Sequence, residues 1–341
     1  MKNQICLVPK LTGLGGMVSF QARMIAGLKA HGIPYNFEIS YPQNAAILVI
    51  GGTRQIWKLK QAKRHGTRII QRLNGMNWIH RLEKTDPRSF LRSEINNYIL
   101  AYIRRHLADQ IVYQSNFCHD WWKRIYGAHS IPYQITYNGV DLDQFSPNGP
   151  ETPPKDHFRL LLVEGHLVGA YARGLETAIK LAEQVRKKHR LPIELMIAGN
   201  VSEQLKIRAH NLAPDLWITW LGVLPREYIA AIDRSAHVLF SADLNAACPN
   251  SVIEALACGT PVLAYDTGAL KELISDGAGV VVPYGSDHWK LEEPQIPPLA
   301  EACVEIFEDN VAYRTRARAR AEAIFDLDTM VSGYLTALGV L

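Results

Sequence analysis

The chain has 341 residues, of which 48% are hydrophobic and 21% are charged. It is too long for one ordinary domain, and its composition excludes disordered, low-complexity and small disulfide-stapled proteins. The net charge of +4 is uneven: residues 1–150 carry 19 Lys and Arg against 8 Asp and Glu, whereas residues 151–341 carry 18 against 25. This asymmetry indicates an anionic ligand, a membrane surface or nucleic acid as partner of the first half.

The cysteines are odd in number and widely spaced: Cys6, Cys118, Cys248, Cys258 and Cys303. Their spacing suits neither a metal site nor a secreted disulfide framework, and it favours a reducing compartment. The apolar stretch at residues 5–8 is too short for the core of a signal peptide, and no apolar run approaches the roughly 18 residues of a membrane span. We therefore expect a cytoplasmic protein, soluble or peripheral at the inner face of the membrane.

The first half alternates short apolar runs with longer amphipathic stretches. The runs predict strands at residues 4–9, 45–52, 67–75, 108–115 and 131–140, and the stretches predict helices at 19–32, 54–66 and 119–127. This alternation is typical of βαβ units and a parallel sheet. It stops at residues 146–157, where four prolines and the lack of periodicity predict an interdomain linker.

The alternation resumes after the linker, from residue 158 to residue 285, and the remaining chain is helical by period. The sequence thus predicts an α/β protein with two doubly wound parallel-sheet domains. We expect the first over residues 1–147, the second over residues 148–315, and a helical segment at residues 316–341.

Three glycines, Gly13, Gly15 and Gly16, separate the first predicted strand from the first helix. Glycine lets the backbone approach a ligand closely, and the N–H groups at the start of the helix attract an anion. The spacing departs from the dinucleotide-binding fingerprint, so a tight turn without a ligand stays open as the alternative.

A second helix start is predicted at Asn250, Ser251 and Val252, directly after Pro249. The backbone N–H groups there lie at the positive end of the helix and attract a phosphate. We expect Glu254 in the first turn, where its carboxylate can accept hydrogen bonds from two vicinal hydroxyls, an arrangement that suits a nucleoside diphosphate. The alternative role for this glutamate is to stabilise the helix dipole.

One amphipathic stretch interleaves cations with apolar side chains. The cations are Arg54, Lys58, Lys60, Lys63, Arg64 and Arg68, and the apolar residues are Ile56, Trp57 and Leu59. Such a helix can lie on anionic lipid or meet an anionic acceptor, and a solvated helix face is the alternative. Trp121 and Trp122 are expected in the core or at its rim.

Motifs across nearly the whole chain resemble those of the retaining GT-B-fold glycosyltransferases, group 1 or family 4. They lie at residues 14–20, 137–147, 197–200, 221–232 and 249–274. The resemblance implies two Rossmann-like domains facing a cleft, with a C-terminal helix that crosses back to the first. It also implies that the C-terminal domain binds a nucleotide sugar and the N-terminal domain binds the acceptor.

The resemblance assigns donor-site roles to individual residues. Glu254 matches the second of two glutamates that face the donor, whereas Ala246 stands at the position of the first. Either Asp243 or Asn245 substitutes for it, or backbone amides suffice, or the donor site is degraded. The donor-binding set is completed by Gly15, Gly16, Gly199, Asn250, Ser251 and Val252.

The cations expected at the donor pyrophosphate are Arg173, which matches a lysine of the family, and His166, which falls near the position of an arginine. The guanidinium group of arginine is always charged and can donate two hydrogen bonds to a phosphate, whereas the charge of a histidine depends on pH. With Glu254 they form the predicted catalytic set. In the first domain, Asn74 matches a family turn, with Arg72 and His80 nearby as acceptor or phosphate contacts; a plain turn is the alternative.

These features predict transfer of a sugar, with retention of configuration, from a nucleotide sugar to a hydroxyl of a glycan, a lipid-linked or a small acceptor. By resemblance no metal or other cofactor is needed. Two alternatives stay open: a nucleotide-sugar 2-epimerase on the same fold, and a non-catalytic nucleotide-sugar-binding protein, which Ala246 favours. The sequence contains no nucleic-acid recognition motif, so nucleic acid is not expected as a partner.

Overall fold

The computed structural model describes residues 4–13, 15–41, 43–83, 85–167 and 172–340, apart from the side chain of His166. The chain divides into two compact units. Unit 1 comprises Met1–Gly139 and Leu327–Leu341, and unit 2 comprises Val140–Asp326. Each unit is built around its own parallel sheet.

Unit 1 contains a six-stranded parallel sheet in the order β2-β1-β3-β4-β5-β6. The strands are β1 (Gln4–Val8), β2 (Tyr35–Asn36), β3 (Asn44–Ile50), β4 (Arg68–Leu73), β5 (Gln110–Tyr113) and β6 (Tyr133–Ile135), and the helices are α1 (Gly16–Ala30), α2 (Ile56–Arg64), α3 (Pro87–His106) and α4 (Asn116–Tyr126). The strands are near-continuous apolar runs because helices cover both faces of the sheet. The predicted parallel sheet is confirmed.

Unit 2 contains a second six-stranded parallel sheet in the order β12-β11-β10-β7-β8-β9. Its strands are β7 (Phe158–His166), β8 (Ile193–Asn200), β9 (Trp217–Gly222), β10 (Val238–Ser241), β11 (Val262–Tyr265) and β12 (Gly279–Val282). Its helices are α5 (Ala172–His189), α6 (Glu203–Leu212), α7 (Ile229–Arg234), α8 (Asn250–Ala257), α9 (Leu270–Leu273), α10 (Ile296–Glu308) and α11 (Asn310–Ile324). This strand order is that of a dinucleotide-binding Rossmann sheet.

The last helix, α12 (Leu327–Leu338), packs in the core of unit 1. Its buried Tyr334 lies 5.0 Å from the ring of Phe20 in α1. No helix among the residues that the structure describes is both long and apolar enough to span a membrane. All five cysteines are buried, and none of them is in a disulfide bond.

The unit boundaries differ from those that the sequence predicts. The start of the proline-rich segment 146–157 belongs to unit 2 rather than to a connection between the units: Arg234 donates a hydrogen bond to the carbonyl of Ser146, and Arg318 donates to that of the buried Phe145. The boundary therefore lies at Gly139–Val140 rather than after residue 147. The return to unit 1 begins at Leu327 rather than at residue 316, since α11 still packs on α8.

The strand order reverses once in each sheet, and such reversals are where open α/β sheets bind ligands. In unit 1 the reversal falls between β1 and β3, beside the glycine loop that follows β1. In unit 2 it falls between β7 and β10.

Candidate active site

The carboxyl ends of β7 and β10 lie side by side in unit 2. The chain leaves β10 at Ser241 and runs through residues 242–249 before α8 begins. This loop holds Asp243 and Asn245, two of the predicted sugar contacts, together with Ala246. This edge of the sheet therefore places Asp243 and Asn245 between the end of β10 and the start of α8.

Glycines allow the neighbouring segments to approach this loop closely. A Cβ added to Gly174 would lie 2.6 Å from Cβ of Ala242, and one added to Gly268 would lie 2.5 Å from the backbone nitrogen of Ala246. A Cβ added to Gly199 would collide with the carbonyl oxygen of Glu164. Gly199 thus serves close packing between β8 and β7 in this structure, and its donor-binding role stays a prediction.

Helix α8 begins at Asn250, as the sequence predicts, after an extended Pro249. Pro249 supplies no side-chain cap to the first N–H groups of α8, which belong to Asn250, Ser251 and Val252. Glu254 lies in the second turn, so the prediction that it lies in the first is wrong, because the helix starts one full turn before it. Its side chain is buried, at 8% exposure.

A second buried carboxyl, Asp233 at the end of α7, lies close to Glu254. Burial raises the pKa of Asp233 well above its usual range, the carboxylate of Glu254 raises it further, and Arg234 lowers it. Neither carboxyl oxygen of Asp233 has a hydrogen-bond partner among the described residues. Burial and the neighbouring Glu254 therefore favour the neutral form of Asp233.

Two further acids meet at the switch point of unit 2. Glu164 lies two residues before the end of β7, and Asp243 lies two residues beyond the end of β10. Burial raises the pKa of both carboxyls, and the charge of Asp243 raises the pKa of Glu164 further. Like charges this close do not ionise independently, so the pair retains a proton at a pH where isolated carboxyls have lost theirs.

We expect Glu164→Gln to stabilise the protein increasingly as pH rises. A raised pKa means that the folded state binds the proton more tightly, so its stabilising effect is complete below the usual value of 4.5 and is lost as pH rises through the folded-state pKa. Glutamine cannot ionise and avoids that loss, which amounts to about 1.4 kcal/mol for each unit of pKa difference. Denaturant unfolding of both proteins across this pH range measures the effect. A difference that stays constant with pH would contradict it.

Three buried polar side chains at the same edge lack hydrogen-bond partners among the described residues. They are the hydroxyls of Ser241 and Thr267 and both amide atoms of Asn245, whose side chains are 3–5% exposed. Asn245 has a left-handed backbone, with φ of 57°, and Ala269 fixes its neighbour by donating a hydrogen bond of 2.8 Å to the carbonyl of Ala246. Buried polar groups are normally satisfied, so these groups are suited to bind the hydroxyls of a ligand.

Arg173 lies at the exposed start of α5, beside the Gly174–Ala242 contact. Its guanidinium donates a hydrogen bond of 3.2 Å to the carbonyl of Leu291 and lines a cavity of about 20 Å³. That space holds about one water molecule and no nucleotide. The side chain of His166 lies outside the described residues, as do residues 168–171, so its role as a phosphate contact stays a prediction.

In unit 1, two predicted contact residues are buried. Arg72 is 1% exposed, its guanidinium carbon lies 3.9 Å from the ring centre of Phe20, and it donates a hydrogen bond of 3.1 Å to Asn138 Oδ1. His80 Nε2 lies 2.7 Å from Glu94 Oε1. Hydrogen bonds from Arg81 and His80 lower the pKa of Glu94 to about 2. Both predicted residues thus have structural partners within unit 1.

The remaining candidates of unit 1 are more open. Asn74 is half-buried and follows β4, with its carbonyl accepting a hydrogen bond of 2.7 Å from Trp122. Gly15 precedes α1 with φ of 120°, and Gly16 is the first residue of that helix. An added Cβ at Gly15 would meet no atom within 4 Å. Trp121 and Trp122 are buried in the core, as expected.

Sequence reasoning missed Glu164, Asp233, Ser241 and Thr267. The signal for Glu164 was an acid at the end of a predicted strand, where ligands of parallel sheets bind. Asp233 carried no such signal, since it lies in an ordinary amphipathic helix. Among the described residues, no group of three or more His, Cys, Asp and Glu is placed to hold a metal ion.

Solved structures share this architecture over nearly the whole chain. The Anabaena protein HepE, in complex with UDP and glucose, has a TM-score of 0.71 at 14% identity, covering 99% of this chain and 100% of that one. A glycosyltransferase from Rickettsia africae has a TM-score of 0.69 at 15% identity, covering 98% and 97%. The two sheets and this likeness define the class of the protein: it has the GT-B fold.

The sequence comparisons match unit 2 to a protein family. Residues 152–318 match the family model of glycosyl transferases group 1. A D-inositol 3-phosphate glycosyltransferase from Mycobacteroides abscessus is 27% identical over 242 residues, covering 68% of this chain and 52% of the relative. The chain spans about half the length of the curated relatives that it matches. Residues 152–318, which lie within unit 2, are therefore similar to glycosyl transferases group 1.

Proposed function

We propose that the chain transfers a sugar from a nucleoside diphosphate sugar to an acceptor hydroxyl with retention of configuration. One observation carries the proposal: Glu254, the start of α8 and the polar loop 243–245 all belong to the carboxyl edge of a sheet within the family-matched region. The N–H groups at the start of α8 bind the diphosphate, and the carboxylate of Glu254 accepts hydrogen bonds from the ribose hydroxyls. The UDP and glucose bound to HepE support a nucleotide sugar as donor.

In the proposed reaction, the bond between the anomeric carbon and the phosphate oxygen breaks while the acceptor oxygen attacks from the same face. The acceptor proton passes to the departing phosphate oxygen, so no enzymic nucleophile is required. Arg173, the N–H groups at the start of α8 and His166 stabilise the charge that grows on the leaving group. In other enzymes Mg²⁺ stabilises the charge on a leaving diphosphate, and we propose that these groups replace it here.

The transferred sugar requires polar partners because Ala246 supplies none. We assign this task to the unsatisfied amide of Asn245 and to Asp243. An amide both donates and accepts, so it can replace a carboxylate as a partner of sugar hydroxyls.

We further propose an anionic or membrane-associated acceptor, bound by unit 1. The excess of 19 basic over 8 acidic residues in the first 150 supports a negatively charged partner. A relative that is named for D-inositol 3-phosphate is consistent with an anionic acceptor. The glycosyltransferase names of the relatives do not favour the epimerase or the non-catalytic alternative.

The test begins with a thermal-shift panel of UDP, GDP and ADP and their sugars. A ligand at about one hundred times its dissociation constant stabilises the folded state by about 2.7 kcal/mol, which identifies the base. The stabilising donor is then incubated with and without candidate acceptors, and the products are separated. Transfer with retention supports the proposal. Conversion of donor alone to an epimer, or binding without any transfer or hydrolysis, would contradict it.

A further inference from the structure

An apolar stripe runs along the exposed face of α3. Leu91, Ile95 and Tyr98 are 59%, 43% and 67% exposed, and Tyr102 continues the row. These positions are spaced by three or four residues, so their side chains lie on one face of the helix. We call these four residues the α3 stripe. The adjacent face of α3 packs in the core through the buried Ile103 and the partly buried Ile99, and Tyr102 at the end of the stripe packs against the same cluster.

Arginines stand at both ends of the stripe. Arg88 precedes Leu91 by three residues and Arg105 follows Tyr102 by three, so both continue the same helical face. Both side chains are exposed, and none of the described acidic groups pairs with either. Glu94 is the one acid within α3, and Arg81 and His80 already bind it. The face is therefore apolar in the middle and positive at both ends.

Helix α2 extends this face. The Lys60 ammonium lies 5.3 Å from the ring centre of Tyr102, whose ring is 6.3 Å from that of Tyr98. Trp57, one turn before Lys60, is 62% exposed. Two other cations of the amphipathic stretch have partners within the protein. Lys63 forms an ion pair with Asp109, and Arg68 donates a hydrogen bond to the carbonyl of Ala337. Lys60 and Trp57 thus add a cation and an aromatic ring to the face.

We propose that the α3 stripe, with Arg88, Arg105 and α2, docks unit 1 on an anionic lipid bilayer. Exposed Leu and Ile side chains enter the acyl boundary, Tyr and Trp rings suit the headgroup level, and the arginines meet lipid phosphates. The positive charge of this face favours an anionic bilayer over a second copy of the chain as its partner. A second copy would bring the same unpaired cations against one another, whereas an anionic bilayer supplies the missing counter-charge across the whole helix.

This inference rests on the proposed membrane-associated acceptor of unit 1 and specifies the surface that meets the membrane. Vesicle binding requires no donor and no turnover, so its failure is distinguishable from a failure of sugar transfer. The test is co-sedimentation of the full chain with vesicles of phosphatidylglycerol and phosphatidylcholine in equal amounts, and with pure phosphatidylcholine vesicles. We expect binding to the mixed vesicles and little binding to the neutral ones. Equal binding to both kinds of vesicle, or to neither, would overturn the proposal.

Two sets of substitutions locate the surface. The triple variant Leu91→Gln, Ile95→Gln, Tyr98→Gln should bind mixed vesicles at least about tenfold more weakly, because it removes the inserting groups. The double variant Arg88→Gln, Arg105→Gln should lose about fivefold for each charge, since each cation near the surface contributes about 1 kcal/mol. The matched control changes three exposed apolar residues of unit 2, Ile207, Leu212 and Val311, to Gln and should bind as wild type does.

Three readouts keep the outcomes distinct. Nucleotide-induced thermal stabilisation should be unchanged in the triple variant, which shows that it is folded and that the donor site is intact. Sedimentation of the wild type without lipid reports self-association. A wild-type dimer that the triple variant abolishes would assign the stripe to a second copy and overturn the membrane proposal. Wild-type vesicle binding by the triple variant would overturn it as well, whether or not the chain proves to be a transferase.

Discussion

Arg173→Ala should lower kcat by a factor of roughly one hundred to one thousand, while the dissociation constant of the donor rises far less. Negative charge on the leaving diphosphate grows as the glycosidic bond breaks, so a cation placed there stabilises the transition state more than the bound donor. An interaction made mainly in the transition state lowers kcat and kcat/KM together. Steady-state kinetics with the donor identified by thermal shift measures both constants.

The position of Arg173 at the surface of unit 2 suits this substitution. Arg173 lies at the exposed start of α5, and its hydrogen bond to the carbonyl of Leu291 is one that a bound phosphate can replace. Arg173→Lys should restore part of the activity, because it keeps the charge and loses the fork. Lys155→Ala, an exposed cation of the same unit, should behave as wild type. An unchanged kcat in Arg173→Ala would show that this arginine is only a partner of the 288–291 turn.

Much of the architecture could be predicted because parallel sheets leave strong local signals. Strands covered on both faces are apolar runs, and the crossover helices have a helical period, so the alternation identifies the fold class. The start of α8 was equally visible, since Pro249 and the polar residues after it favour a helix terminus. These features depend on residues that are close in sequence, so a single sequence is enough to predict them.

The features that sequence missed depend on tertiary contacts. Helix α3 has its exposed stripe and its core face side by side, so no clean amphipathic period marks it. Segment 146–157 has the composition of a linker, yet hydrogen bonds from Arg234 and Arg318 hold the chain at its start within unit 2. Glu164 and Asp243 are 79 positions apart in the numbering and meet only because β7 and β10 are neighbours. Long-range pairings of this kind leave no trace in periodicity or propensity.

Glu254→Gln should lower kcat/KM for the donor by a factor of roughly ten to one hundred. Hydrogen bonds to a charged acceptor contribute about 1.5–3 kcal/mol, and glutamine keeps the shape of the side chain while it removes that charge. The alternative, a helix-dipole role, predicts almost no effect, because Glu254 lies in the second turn of α8 and dipole effects are confined to the first. Titration with the nucleoside diphosphate, and with its 2′,3′-dideoxy form as matched ligand, separates the two roles. The variant should weaken binding of the first and leave that of the second unchanged.

Stability provides the complementary readout, because Glu254 and Asp233 interact electrostatically. The carboxylate of Glu254 helps to raise the pKa of Asp233, so its removal relieves a like-charge repulsion within a buried pair. Glu254→Gln should therefore unfold at the same or a higher denaturant concentration, most clearly at high pH, where Asp233 comes nearest to ionising. A folded, equally stable variant that no longer distinguishes the nucleotide from its dideoxy form assigns Glu254 to the ribose. A variant that loses stability together with binding would instead make its carboxylate a structural partner within the α7–α8 contact.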